Sequence, residues 1–217
     1  MFQLLETDLY NFRTLDLYCE IIGKQRKPQE LFNFLRQTNM DYNAINSNTL
    51  INIAEILSSV RENSQYQILA NKILSIALSG QIEESQIAKA VVNLKKVGEP
   101  EEVIKFVSEA IVKYPNLSSS STLLEKRATA RMDMAKKCID TGKDVKSNPK
   151  TKARAWEMCR QFLEEAERDL NKASDYADDP NEKFFIENDM NFLERMKKNS
   201  AKPTSPLRSR ASLRKRG

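Results

Sequence analysis

Apolar residues return every three or four positions through most of the chain, the spacing that gathers them on one side of a helix. Leu15, Tyr18 and Ile21 keep this beat, as do Ile51, Ala54 and Leu57, and then Ile87, Ala90 and Leu94. The beat itself repeats. Setting the chain against itself at an offset of 36 lays Pro28 to Leu35 over Ser64 to Asn71 and over Pro100 to Val107. Proline and serine belong to the first turn or the cap of a helix, so each of these segments predicts a helix that starts at the same phase. Leu15/Ile51/Ile87, Tyr18/Ala54/Ala90 and Ile21/Leu57 keep register upstream, so each unit reads as helix, short turn, helix. Ser58 and Asn71 stand where this pattern calls for apolar side chains.

Beyond Pro115 the serines 118–121 and Thr122 offer a cap for a helix through Ile139, with Leu124, Ala128, Ala135 and Ile139 on one face. Residues 141–150 read as a polar loop. The helix predicted over 151–176 buries Trp156, Cys159, Phe162, Leu163, Ala166 and Leu170. Asp179, Pro180 and Glu182 form a strong start signal for a last helix to about Lys198, with Phe184, Phe185, Met190 and either Phe192 or Leu193 inward. From Asn199 onward Ser, Pro, Ala, Lys and Arg prevail. That composition buries too little apolar area to offset chain ordering, so 199–217 is expected to be disordered.

Composition narrows the fold class to all-α. Five glycines in 217 residues leave few positions for phosphate-cradling loops or tight β-hairpins, and 30% of residues are charged. There is no histidine, which removes the commonest general base, the commonest metal ligand and every Ser-His or Cys-His nucleophile. Catalysis is therefore not expected, nor is a cofactor or a metal. Cys19, Cys138 and Cys159 are odd in number and widely spaced. They read as reduced core thiols, with a redox role the alternative. Residues 197–217 hold eight basic side chains and no acid, which leaves 27 basic against 30 acidic residues in the rest, a balance of −3. The body is mildly acidic and the tail strongly basic.

The third copy carries a family resemblance. From Glu84, one helix presents Ile87, Ala90, Val91 and Leu94, Gly98 occupies the turn, the second helix presents Ile104, Val107, Ala110 and Ile111, and Tyr114-Pro115-Asn116 closes the unit. This resembles a tetratricopeptide repeat, although Ile87, Val91 and Val103 depart from the family's usual residues. The resemblance runs over residues 12 to 140 and is strong at 84–116. It implies antiparallel hairpins stacked as a short solenoid over 1–140, followed by a helical cap over 141–198 and the basic tail; another kind of α-hairpin solenoid is the alternative. Ser47-Asn48-Thr49-Leu50-Ile51 also looks like the start of a pentatricopeptide repeat, a family that reads single-stranded RNA.

In such an array the first helices of successive hairpins line a groove. The resemblance places Arg13, Asp16, Glu20, Asn52, Ser59, Lys95 and Lys96 on it, although an ordinary solvated face is the competing reading. The expected function is a scaffold or adaptor that holds a peptide or partner helix there. An RNA-binding or ribonucleoprotein-associated repeat, drawing phosphates with Arg208, Arg210, Arg214, Lys215 and Arg216, is the alternative. The acids Glu164, Glu165, Glu167, Asp169, Asp175, Asp178 and Asp179 lack the alternation of a calcium loop and are expected to form a solvated face. Phe2, Leu4, Leu5, Leu9 and Tyr10 present an apolar start that predicts a homodimer or larger complex. Neither a signal peptide nor a membrane-spanning run is read in the chain, so a cytoplasmic protein is expected, or a nuclear one if the source is eukaryotic.

Overall fold

The structure, a computed structural model, describes residues 12–200 apart from 39, 61 and 62; the side chains of Phe12 and Arg13 also lie outside the description. Among the described residues all regular structure is helical. The elements are α1 (Phe12–Gln25), α2 (Pro28–Gln37), α3 (Ser47–Ser58), α4 (Ser64–Ser79), α5 (Glu84–Val97), α6 (Pro100–Lys113), α7 (Ser121–Lys143), α8 (Pro149–Tyr176) and α9 (Pro180–Ser200). Short 3-10 turns cover Tyr42–Ala44 and Pro115–Ser119. None of the described helices is long and apolar enough to cross a membrane.

The helix starts follow local chemistry. Pro28, Ser64 and Pro100 open α2, α4 and α6 at a spacing of 36. Asn46, Asn63, Ser120 and Asn148 each turn a side-chain oxygen onto free backbone N–H groups of the first turn, capping α3, α4, α7 and α8. Asp179 accepts from the backbone N–H of Asn181 (2.9 Å) at the start of α9. Glu182, in the third position of that helix, accepts from Thr122 on α7 (2.8 Å) and ties the two helices together. Arg26, between α1 and α2, adopts a left-handed backbone (φ 54°), so the first hairpin turns in two residues at some conformational cost.

Each helix packs on its neighbour in sequence, and α1, α3, α5 and α7 also pack on one another in order. Polar links between units join residues 35 to 38 positions apart: Tyr66 donates to Gln29, Ser58 to Asn93 (3.3 Å), Lys89 to Asn52 (2.8 Å), Lys95 to Asp133 and Lys137 to Glu99 (2.9 Å). Ser58, which broke the apolar pattern, is buried; its hydroxyl bonds to Asn93 and the carbonyl of Glu55, so a polar pair replaces an apolar one at the α3–α5 contact. Asn71 is half-buried.

Two apolar cores result. One runs from Leu15 through Ala110 and takes Leu123 and Ala130 of α7; the other gathers Leu124, Ala128, Met132, Ala135, Cys159, Leu163, Leu170, Ile186 and Leu193. α7 thus faces both ways.

Several expectations for the C-terminal part are corrected. Residues 141–143 belong to α7, and α8 begins at Pro149, so the loop between them is shorter than predicted. Gly142 permits this: a Cβ there would lie 2.6 Å from the Trp156 indole, so the glycine seats the ring against α7. Trp156 and Phe162 are half-buried rather than interior. On α9 the inward stripe is Ile186, Leu193 and Met196, with Met190 packed beside it. At 3.6 residues per turn Phe184 lies about 200° round from Ile186. Phe184, Phe185 and Phe192 are consequently 60%, 63% and 48% exposed. α9 also continues through Ser200, so residues 199 and 200 are helical rather than disordered. Residues 201–217 and the apolar start at Phe2, Leu4, Leu5, Leu9 and Tyr10 lie outside the described residues.

Candidate functional site

The face made by α1, α3 and α5 carries one depression, and a second beside it shares Asp16 in its lining. The first, of about 410 Å³, is lined by Asp16, Glu20 and Lys24 of α1, Asn52, Glu55 and Ile56 of α3, and Lys89 of α5. Asp16 and Lys24 are two turns apart on one helix face, and Asn52 and Glu55 one turn apart on the next. Packing of α1 on α3 on α5 therefore gathers polar side chains from three segments distant in sequence. Gly23 is also in the lining, and a Cβ there would make only ordinary contact with Ile56 at 3.6 Å.

The second depression, of about 940 Å³, continues toward the start of α3 and α5. It is lined by Asp16, Asn46, Ser47, Asn48, Gly80, Ile82, Glu83, Lys113 and Tyr114 among others. The turn between α4 and α5 closes on Ser47 because residue 80 is glycine: a Cβ would stand 2.5 Å from the Ser47 hydroxyl oxygen. Tyr114 donates to the carbonyl of Ile82 (3.2 Å), which anchors that turn to the end of α6.

Of the seven residues expected to line a groove, Asp16, Glu20 and Asn52 fall together in the first depression. Lys95 is half-buried and engaged by Asp133 of α7, while Lys96 is exposed. Ser59 is exposed at the C-terminal end of α3 with its hydroxyl turned back to the carbonyl of Ile56 (2.6 Å). The Arg13 side chain lies outside the described residues, as do Arg208, Arg210, Arg214, Lys215 and Arg216. Lys24, Glu55, Lys89 and Glu83 were missed. The i, i+4 relation of Glu20 to Lys24 and the 34-residue separation of Glu55 from Lys89, near the repeat length, were available signals.

Charges along this face are mostly paired. Lys24 bonds Glu20 (2.6 Å), and Lys89 bridges Glu55 (2.6 Å) and Asn52 (2.8 Å). Lys113 lies 5.1 Å from the Tyr114 ring centroid. Asp16 and Glu83 form no ion pair among the described residues. Cys19, beneath Asp16, is pushed up to about 12 by burial and by the nearby carboxylate, which keeps its thiol protonated and unreactive.

Two titratable clusters lie elsewhere. Asp169 of α8 is buried and accepts from Arg127 through two bonds of 2.8 Å and from Arg131; Arg131 also pairs with Glu165 (3.0 Å), and Arg127 reaches Ser108 of α6 (3.2 Å). Burial pulls Arg131 below the usual guanidinium range. The α8 acids are thus not a uniformly solvated face: Asp169 and Glu165 brace the helix pair, and Glu167 engages Lys197 of α9. The second cluster is Asp189 of α9 with Glu125 of α7. Burial, and then sharing a proton with Glu125, raises Asp189 to about 7. Neither carboxylate lines the depressions above.

No protein-family model matches the chain, and no curated protein or solved structure matches it either.

Proposed function

We propose that the chain is a short array of stacked helical hairpins of the tetratricopeptide kind, and that it acts as a scaffold or adaptor holding a segment of another protein along the α1/α3/α5 face. The observation that carries this reading is the depression that α1, α3 and α5 build together, continued past Asp16 by a second one that the start of α3, the α4–α5 turn and the end of α6 line. The spacing of 36 between the starts of α2, α4 and α6, and the polar links between residues 35 to 38 apart, support the array. An extended peptide fits such a face because its backbone donors and acceptors meet side chains rather than a closed cavity.

The test places a photo-crosslinking amino acid at Asn52, inside the first depression, and in a second preparation at Asn33, exposed on α2. Irradiation in extract from the source cells is expected to give a discrete protein adduct from position 52 and none from position 33. Equal adducts from both positions, or none from 52, would refute the reading.

A further inference from the structure

Buried oxygen atoms without hydrogen-bond partners are rare, because each forfeits the water it would otherwise bind. Asp16 Oδ1 and Asn48 Oδ1 are both in this condition among the described residues. Both side chains line the larger depression, and Asp16 lines the smaller one as well. Asp16 and Asn48, on adjacent helices, therefore line one space, and each keeps an oxygen with no donor among the described residues.

The chemistry of the lining selects the ligand. A carboxylate and an amide oxygen together ask for several N–H groups carrying positive charge, as in a guanidinium or an ammonium group. The surroundings agree. Lys24 and Lys89 are already engaged by Glu20 and Glu55, and Lys113 sits over Tyr114. Asp16 and Glu83 thus remain the carboxylates of this face without an ion-pair partner among the described residues. An acidic ligand would meet those two carboxylates, while a neutral one would leave the Asp16 charge uncompensated.

The geometry points to a recognition site for an arginine or lysine side chain of a partner peptide, received in the larger depression by Asp16 and Asn48. This rests on the reading of the α1/α3/α5 face as a peptide-binding groove and adds the chemistry of its anchor residue. The remainder of the peptide lies along the smaller depression past Glu20, Asn52 and Glu55.

Selection from a displayed random dodecapeptide library, on the full chain, tests the site. Enriched peptides are expected to share one arginine or lysine. Their affinity is expected to fall at least about tenfold in Asp16→Asn, which keeps the shape and removes the charge. Asn48→Ala, which removes the second acceptor, should weaken the same peptides without changing which cation they carry. Because the Asp16 oxygen lacks a partner, Asp16→Asn should unfold at a temperature no lower than the parent, so a loss of binding with intact folding separates recognition from structural damage. Enriched peptides without a shared cation, or peptides indifferent to Asp16→Asn, overturn the inference while leaving the groove reading standing. A library that yields no binding peptide overturns both.

Discussion

Replacing Asp169 by alanine should be among the most damaging single changes in the second core. Asp169 is 4% exposed, and the side chains of Arg127 and Arg131 that clasp it are 15% and 13% exposed. Arg127, Arg131, Asp169 and Glu165 balance as two positive and two negative charges. Removing Asp169 leaves two adjacent guanidinium groups with Glu165 alone, 24% exposed, to answer them. Breaking a buried pair in this way costs about 3–5 kcal/mol, because the surviving charge stays desolvated. For a chain of this size that corresponds to a fall of roughly 6–20 °C in the unfolding midpoint. Urea unfolding followed by circular dichroism measures it. A quadruple replacement, Arg127→Met, Arg131→Met, Asp169→Leu and Glu165→Met, should recover most of the loss, since it removes all four charges of the network together. A loss below about 1 kcal/mol for Asp169→Ala would show that water already screens the network, and would refute the reasoning.

Three further outcomes follow from local geometry. Asp189 titrates near 7 when folded against an ordinary value of 3.8, so the folded state holds a proton that the unfolded chain has lost. Stability should therefore fall as pH rises from about 4 to about 7; Asp189→Asn should flatten that slope and stabilise the protein at pH 8 by about 1–2 kcal/mol, after discounting for the partial exposure of the site, and an unchanged slope in urea titrations would reject the pairing. Gly142→Ala should destabilise by about 1–3 kcal/mol, because the added Cβ meets the Trp156 ring at 2.6 Å, with a shift in tryptophan emission as the check. Changing Phe184, Phe185 and Phe192 together to serine should leave the unfolding midpoint within a few degrees of the parent, because these rings are about half or more exposed; a large fall would place them in the core after all.

The helical fold was legible because proline, serine and apolar spacing act over one or two turns. Pro28, Ser64 and Pro100 open helices where predicted, and Leu15, Ile51 and Ile87 are buried at equivalent phases. What escaped was the choice between nearly equal faces. α9 carries apolar residues all round, so its inward side was set by which stripe meets α8, and Ile186 and Leu193 took it rather than the larger phenylalanines. Asp169 sits among exposed acids in sequence, and only Arg127 and Arg131, about forty residues earlier, make it an interior residue. At the candidate site Asp16, Glu20 and Asn52 were found through the repeat phase. Gly80 and Asn48 were not, since their roles depend on how the α4–α5 turn closes over the start of α3.

The stacking of equivalent hairpins is tested most directly by spin labels at Gln29, Gln65 and Glu101, exposed residues one step inside α2, α4 and α6. Double electron–electron resonance should give similar distances for 29–65 and 65–101, and a clearly longer one, approaching their sum, for 29–101. A 29–101 distance no longer than the other two would mean that the hairpins close on themselves, leaving no extended face for a partner.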